Sequence, residues 1–211
     1  LTITSTFLPL VCGGRVIVYK EDSSGSDTAV LDVIKDNLVN VIKLTPSHLM
    51  LFKDKDLTNS AIEKIRVGGE DFKVSLGKAI KTAFGNSIRI FNEYGPTEAT
   101  VGCIVSEFNP ERHKDSSVPI GIPVNNMHAY ILDEYKNLVP KGVIGALYLS
   151  GASLANGYLG LPELTEEKFI DNPFVYGQKM YQTGDLARIN EAGEYEYLGR
   201  VDEQVKLRGY R

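Results

Sequence analysis

The sequence predicts an α/β fold, in which a half built from parallel strand–helix–strand units precedes a small antiparallel β-barrel. Up to about residue 110, apolar runs of strand length alternate with amphipathic stretches, which is the pattern of βαβ units. Beyond residue 110, short strand-like runs are separated by turns rich in Gly, Pro and Asn. The chain has 211 residues, of which 43% are hydrophobic, so it can bury a sizeable core.

The first half is predicted to contain four strands and two main helices. Each predicted strand is a short apolar run, and each predicted helix repeats apolar residues at helical spacing. The run 16–19 is predicted to be a buried strand, and the apolar segment that begins at Leu1 is expected to be part of a sheet. The remaining strands are 41–44, 65–67 and 88–91, and the helices are 29–38, a short one opened by Pro46 and Ser47, and 74–84.

Two polar segments of the first half directly follow predicted strands. Gly68-Gly69-Glu70 comes after the strand at 65–67, and Asn92 to Glu98 comes after the strand at 88–91. Ligands of parallel sheets bind beyond the carboxyl ends of the strands. We therefore expect both segments to lie at one ligand-binding edge.

The second half is predicted to be antiparallel and to hold one helix, 163–169. Its strand candidates are 129–132, 146–149 and 194–197, with turn signals at 140–142 and 191–193. Thr183-Gly184 is interpreted as a turn that presents Asp185 to a ligand.

Composition excludes several classes of partner. The net charge of -4 gives no basic surface for nucleic acid. No apolar run approaches the roughly 20 residues of a membrane span. Two widely separated cysteines, Cys12 and Cys103, favour a reducing, cytoplasmic setting. Because the chain begins without Met inside an apolar segment, we expect it to be part of a larger enzyme.

Three polar blocks follow one another in a set order. They are Asn92-Glu93-Tyr94-Gly95-Pro96-Thr97-Glu98, Tyr181-Gln182-Thr183-Gly184-Asp185-Leu186 and Gly199-Arg200-Val201-Asp202. One block alone would fit an ordinary loop. Together, and over the whole chain from Leu1 to Arg211, they resemble the adenylate-forming superfamily, and most closely the adenylation domains of nonribosomal peptide synthetases.

The resemblance implies a role and a domain organisation. It implies that ATP and Mg²⁺ activate an amino acid as aminoacyl-AMP, for loading onto the phosphopantetheine thiol of a peptidyl carrier protein beside condensation domains. Residues 1–110 would be the second α/β subdomain of the large domain, 111–200 its β-barrel subdomain, and 201–211 the hinge, with Asp202 at the hinge position, and the start of a small domain. The family's phosphate loop and catalytic Lys are not in the chain, so this segment alone is expected to be inactive.

The resemblance also assigns residues to the nucleotide. Adenylate formation brings a carboxylate to the α-phosphate of ATP, so cations and hydrogen-bond donors are needed. Glu98 would be the metal ligand and Thr97 a phosphate donor, and these two are the predicted catalytic residues. Asn92 would bind the adenine amino group, with Tyr94 against the purine ring. The other assigned positions are Gly69, Glu70, Gly95, Asp185 at the ribose, Arg200 near ribose and phosphate, and Tyr197, which either lines the adenine pocket or faces the barrel core.

The positions that line the amino-acid pocket of the family can be carried over in the same way. They fall on Leu1, Thr4, Lys43, Arg66, Gly68, Glu93, Val101 and Gly102. A carboxamide accepts from Lys43 and donates to Glu93, whereas an aspartate side chain would be repelled by Glu93. The pattern resembles the asparagine-activating signature, although Arg66 stands where an aliphatic residue is usual. An alternative remains, in which Lys43 and Glu93 simply pair with each other.

Two other functions stay open. An acyl- or aryl-CoA ligase shares the Tyr-Gly-x-Thr-Glu and Thr-Gly-Asp blocks, although Tyr94-Gly95-Pro96-Thr97-Glu98 and Asn172-Pro173-Phe174 are closer to the synthetase branch. A non-catalytic binding module that kept the fold is the second alternative.

Overall fold

The computed structural model describes residues 2–20 and 28–201, which form two compact units. The first unit contains the described residues up to Asn92 together with Glu107–Val118, and the second contains Glu93–Ser106 and the described residues from Pro119 onward. Among the described residues the chain passes between the units three times, twice inside a strand and once at Val118–Pro119. The functional subdomain boundary expected at residue 110 stays a prediction.

The first unit is an α/β structure whose first two strands are parallel. Its strands are β1 Val41–Leu44, β2 Lys64–Gly68 and β3 Arg89–Tyr94; its helices are α1 Thr2–Val11, α2 Thr28–Asp36, α3 Pro46–Leu49 and α4 Val74–Phe84, with a 3-10 helix at Met50–Phe52. Register partners such as Val41 and Lys64 join β1 to β2, and β3 lies next to β2. The parallel α/β prediction is therefore confirmed.

Local sequence explains how the first unit is built. Helix α3 begins where Thr45 accepts a hydrogen bond from the His48 backbone N–H, and Pro46 occupies the first turn. Gly77 lies inside α4 because a Cβ there would be 2.7 Å from the Phe108 ring. The core is a continuous apolar cluster that includes Phe52, Ile65, Ile80 and Ile90.

Two predictions for the start of the chain are wrong. The segment 16–19 has no regular secondary structure, and Val18 is 87% exposed. In the described part of the chain no strand pairs with this segment. The segment after Leu1 is helix α1 and not part of a sheet, and Phe7 and Val11 on this helix are exposed.

No helix among the described residues is long and apolar enough to span a membrane.

The second unit is dominated by a curled antiparallel sheet. Its elements are a 3-10 helix at Thr97–Ala99, β4 Ile104–Glu107, β5 Ile122–Pro123, β6 Met127–Leu132, β7 Gly145–Gly151, α5 Pro162–Lys168, β8 Phe169–Asp171, β9 Lys179–Ile189 and β10 Tyr195–Arg200. The order of strands in the sheet is β10-β9-β7-β6, with β8 paired to β9, and the apolar core includes Ile104, Leu147 and Leu149. The antiparallel prediction is confirmed, and the predicted helix at 163–169 is α5, displaced by one residue.

Thr183-Gly184 does not form the predicted turn. It is an irregularity inside β9, opposite β7: Ala146 and Tyr148 are two positions apart, whereas their partners Leu186 and Gln182 are four apart. Gly184 takes a φ of 77° there, a value that favours glycine. Such bulges redirect side chains without ending a strand, and here the bulge lies directly before Asp185.

Candidate nucleotide-binding site

The first polar block begins inside a strand and not after it. Asn92, Glu93 and Tyr94 are the last residues of β3. The following loop folds back tightly, because the Cys103 backbone N–H donates to the Tyr94 carbonyl at 3.0 Å. A Cβ at Gly95 would collide with the Val101 carbonyl, so only glycine fits.

The same loop carries backbone strain. Thr100 and Val101 have φ values of 54° and 73°, in the left-handed region. This conformation is uncommon for any residue with a Cβ, and for a β-branched residue it is a genuine outlier. Strain of this kind concentrates at functional sites, where the surrounding structure must hold it.

The three polar blocks meet at one buried carboxylate in the second unit. Asp185 is 3% exposed. Its Oδ2 accepts a hydrogen bond from the Tyr94 hydroxyl, and its Oδ1 accepts from Arg200 Nη1 at 2.8 Å. Arg200 Nη1 also donates to the Thr183 carbonyl at 3.2 Å. Tyr94 belongs to the first block, Asp185 and Thr183 to the second, and Arg200 to the third.

This cluster keeps Tyr94 protonated. Burial raises the pKa of the Tyr94 hydroxyl well above its usual range, and the negative charge of Asp185 raises the pKa further. Tyr94 is therefore a neutral hydrogen-bond donor over the whole physiological range. The Tyr197 ring lies 6.3 Å from the Tyr94 ring, centroid to centroid, and is only half-buried. Tyr197 packs against the apolar core of the second unit, and its place at the adenine stays a prediction.

Glu98, the predicted metal ligand, is buried beside two tyrosines. It is 7% exposed, and its Oε1 accepts from the Tyr158 hydroxyl at 2.8 Å. The Tyr158 hydroxyl is also 3.5 Å from that of Tyr181. Burial raises the pKa of Tyr181, with the Tyr158 hydrogen bond and the Glu98 charge adding to the effect. Thr97, by contrast, is exposed at the start of its 3-10 helix.

The donor set suits a metal ion that arrives with its substrate. Among the described residues, no group of three or more His, Cys, Asp or Glu side chains could hold a metal. Mg²⁺ is commonly bound by one or two carboxylates, with phosphate oxygens and waters completing its octahedron. A single carboxylate such as Glu98 fits that arrangement.

The residues of the first unit that are predicted to bind nucleotide are each held by hydrogen bonds. The Asn92 amide donates to the Val118 carbonyl at 3.0 Å and is buried. Glu70 follows β2 and Gly69; its Oε2 accepts from the Ser47 hydroxyl at 2.6 Å and from the Ser47 backbone N–H at 3.1 Å. These bonds tie the segment after β2 to helix α3.

Predicted pocket residues of the first unit lie on α1 and on the two parallel strands. Lys43 Nζ donates to Thr4 Oγ1 at 2.7 Å, which joins β1 to α1. Lys43 and Arg66 are register partners on β1 and β2, so their side chains share one face of the sheet. Gly68 ends β2 and is buried. Leu1, like the predicted hinge residue Asp202, lies outside the described residues.

Predicted pocket residues of the second unit include a matched pair. Glu93 is 6% exposed. Its Oε1 occupies the space that a Cβ at Gly102 would need. The glycine at 102 therefore permits the observed position of the Glu93 carboxylate, and Val101 is in the strained turn just before it.

Sequence reasoning missed Tyr158 and Ala155, which contact the predicted metal ligand. Tyr158 donates to Glu98 Oε1, and the Ala155 backbone N–H donates to the Glu98 carbonyl at 2.8 Å. The signal was present, because Ala155-Asn156-Gly157-Tyr158 stands where the resembled family has Ala-Arg-Gly-Tyr. A contact between positions 60 residues apart cannot be read from a single sequence.

Comparison with known proteins shows which family the chain belongs to. Residues 1–159 match the sequence profile described as AMP-binding enzyme. The whole chain is 50% identical to part of bacitracin synthase 3 of Bacillus licheniformis and 49% identical to part of tyrocidine synthase 3 of Brevibacillus parabrevis. It spans 3% of the length of each of these relatives.

Solved structures show the same fold. The nonribosomal peptide synthetase FmoA3 matches with a TM-score of 0.85 and 26% identity, over 95% of this chain and 22% of that one. PA1221, a synthetase protein with adenylation and carrier (PCP) domains solved with a vinylsulfonamide inhibitor, matches with a TM-score of 0.79 and 26% identity. That match covers 87% of this chain and 32% of PA1221.

Proposed function

Because this chain belongs to the AMP-binding enzyme family, we propose that it forms part of an adenylation domain, which activates an amino acid with ATP to an aminoacyl-AMP. One observation carries the proposal. Tyr94 and Arg200 both hydrogen-bond to the buried carboxylate of Asp185, although Tyr94 and Asp185 are 91 residues apart in sequence. A buried, paired carboxylate is costly, and a ligand-binding role explains why three separate sequence blocks converge on this one.

Each residue of the cluster has a task in this proposal. Asp185 accepts hydrogen bonds from the ribose hydroxyls, and Arg200 and Tyr94 hold its carboxylate in place. Arg200 presents a planar fork suited to phosphate. Glu98 binds Mg²⁺, which when present neutralises the negative charge of the ATP phosphates. Thr97 is exposed, as a residue that donates to a phosphate must be.

The relatives support the proposed partners. Bacitracin synthase 3 and tyrocidine synthase 3 are very long proteins compared with this chain. PA1221 joins an adenylation domain to a carrier domain. We propose that the aminoacyl group passes to the phosphopantetheine thiol of a carrier domain, that condensation domains follow in the same synthetase, and that the enzyme works in the cytoplasm. We also propose that this segment of 211 residues, expressed alone, does not catalyse adenylate formation.

The proposed substrate is asparagine. Lys43 offers an ammonium donor and Glu93 a carboxylate acceptor, and a short carboxamide satisfies both. The neighbouring positions of Lys43 and Arg66 on β1 and β2 raise the positive charge of that face. A substrate with an anionic side chain is therefore the competing possibility, and Arg66 is the residue that would favour it.

Amino-acid-dependent pyrophosphate exchange tests the reaction. In the full-length protein, Asp185→Ala should lower exchange at least tenfold, equivalent to about 1.4 kcal/mol of transition-state stabilisation. Asp171→Ala is the matched control, because Asp171 is an exposed aspartate of the same unit that pairs with Lys179. Equal exchange in both variants would contradict the proposal.

Substrate choice needs a competition assay. Asparagine should be preferred over aspartate, glutamine and phenylalanine by about tenfold to a hundredfold, because a misfit leaves a buried polar group unpaired at a cost of roughly 1–3 kcal/mol. Glutamine, which is one methylene longer, should be rejected most weakly. A preference for aspartate would contradict the asparagine proposal and would indicate that Arg66 determines the choice of substrate.

Two further measurements separate the proposed function from its alternatives, a CoA ligase and a non-catalytic binding module. A CoA ligase would form a thioester with free CoA in place of loading a carrier domain, and this product can be measured directly. A non-catalytic module would show no exchange with any amino acid while still binding nucleotide.

A further inference from the structure

The predicted metal ligand is held by a second segment of the chain. The segment 155–158 lies against Glu98 through two hydrogen bonds. Tyr158 donates to the carboxylate Oε1 at 2.8 Å, and the Ala155 backbone N–H donates to the Glu98 carbonyl at 2.8 Å. The backbone and the side chain of Glu98 are thus fixed by the same short loop.

That loop is itself anchored. The Tyr158 backbone N–H donates to Thr165 Oγ1 at 2.8 Å, and Thr165 Oγ1 donates to the Leu161 carbonyl at 2.9 Å. Gly157 has a φ of 143°, and a Cβ there would collide with Thr165. Helix α5 therefore sets where the loop runs, and glycine at 157 lets the loop approach it.

The Tyr158 ring is also fixed by aromatic packing. It meets Phe169 edge-on, with ring centroids 5.6 Å apart and an interplanar angle of 71°. Phe169 packs in turn on Tyr181, with centroids 5.0 Å apart. The hydroxyl of Tyr158 is consequently delivered to Glu98 from a rigid support and not from a free side chain.

We propose that Tyr158 is a positioning residue that orients the Glu98 carboxylate for the Mg²⁺ carried by ATP; this inference rests on the function proposed above. A hydroxyl that donates to one carboxylate oxygen restricts the rotation of the carboxylate and fixes the direction of its second oxygen. Hydrogen-bond partners behind a metal ligand typically contribute about 10–100-fold in metal affinity or activity. Tyr158 has no need to touch the metal or the nucleotide.

The test compares Tyr158→Phe with Tyr195→Phe in the full-length protein. Tyr195 is the matched control, because it is a tyrosine of the same unit whose hydroxyl is also a hydrogen-bond donor. Its acceptor is the Ala129 backbone carbonyl, at 2.7 Å, and not a carboxylate. Binding of Mn²⁺ in the presence of a non-hydrolysable ATP analogue is followed by electron paramagnetic resonance. Thermal unfolding without metal is recorded for each variant.

We expect Tyr158→Phe to weaken Mn²⁺ binding about tenfold. The Mg²⁺ concentration that gives half-maximal pyrophosphate exchange should rise by a similar factor. Tyr195→Phe should leave both values as in the unmodified protein. In a Glu98→Gln background, Tyr158→Phe should cause no further loss of metal affinity, because the two residues act as one unit.

Three outcomes would overturn the proposal. If Glu98→Gln loses Mn²⁺ binding but Tyr158→Phe keeps it, the positioning role fails and the proposed function survives. If Tyr158→Phe lowers only the unfolding temperature, its role is structural. If Glu98→Gln binds the metal normally, the assignment of Glu98 and the role of Tyr158 both fail.

Discussion

The two units bury different kinds of residue. In the first unit, the buried polar residues are Thr45, Asn92 and His113, and no carboxylate is buried among its described residues. The second unit buries four carboxylates. They belong to Glu93, Glu98, Asp185 and Glu194. The first unit is therefore stabilised by apolar contacts, whereas the second holds charged groups in its interior.

This difference separates stability from function. Burying an ionised carboxylate costs free energy unless hydrogen bonds and counter-charges offset it. In the second unit those partners are present: Asp185 has Tyr94 and Arg200, and Glu194 accepts from Ser106 at 2.9 Å. We interpret Glu93, Glu98 and Asp185 as functional and Glu194 as structural, because only the first three lie in the motif blocks.

The largest effect is expected from the apolar core of the first unit. Phe52→Ala should lower the free energy of unfolding by about 3–5 kcal/mol, because Phe52 is fully buried and packs edge-on against Phe84 at 5.8 Å. Denaturant unfolding of the full-length protein measures this loss. Met50→Ala is the control, since Met50 neighbours Phe52 and is 52% exposed. Equal losses would contradict the assigned core.

The second-largest effect is expected from a substitution that overpacks the space beside Glu93. A Cβ introduced by Gly102→Ala would collide with Glu93 Oε1, so the carboxylate must move. We expect a loss of roughly 1–3 kcal/mol in unfolding free energy, together with altered amino-acid preference. Gly142→Ala is a comparison at a glycine with open space around it, where only the backbone conformation is disturbed. Unchanged preference in Gly102→Ala would remove Glu93 from the substrate pocket.

A smaller shift is expected from a change of charge alone. Glu93→His should remove the repulsion between this carboxylate and an acidic substrate, and move the preference toward aspartate by about tenfold. Competition between asparagine and aspartate in pyrophosphate exchange measures it. A preference that does not respond would indicate that Glu93 serves only as a partner for a neighbouring cation.

The smallest effect concerns a buried thiol. Burial raises the pKa of Cys103 to about 12, so its thiol stays protonated at pH 8. Alkylation of Cys103 should therefore be slow in the folded protein and become rapid on unfolding, whereas an ordinary cysteine reacts at once. Mass spectrometry after timed labelling gives both rates. Rapid labelling of the folded protein would show that the loop after β3 opens readily.

Much of this architecture could be predicted from the sequence. Helix α4 and strand β1 have the predicted bounds, because apolar periodicity records which face is buried. The prediction of a strand at 16–19 fails for a physical reason. It rests on a short apolar run, but a strand also needs a neighbour with which to pair, and no strand of the described residues pairs with this segment.

The site could be predicted in part. The blocks around Tyr94, Asp185 and Arg200 were identifiable, and the structure brings them together. The bulge in β9 could not be predicted, because it depends on the register against β7. Tyr158 was missed for a similar reason, since its role depends on a long-range hydrogen bond to Glu98.

The most direct test of the account is the stabilisation that nucleotide confers on the full-length protein. A ligand at 100 times its Kd adds about 2.7 kcal/mol to the folded state. We expect Glu98→Gln and Asp185→Ala to lose most of the increment in unfolding free energy caused by Mg²⁺, ATP and asparagine, whatever their stability without ligand. Glu194→Gln, which alters an equally buried carboxylate outside the motifs, should keep the full increment. Similar increments in all three variants would contradict the division between functional and structural carboxylates.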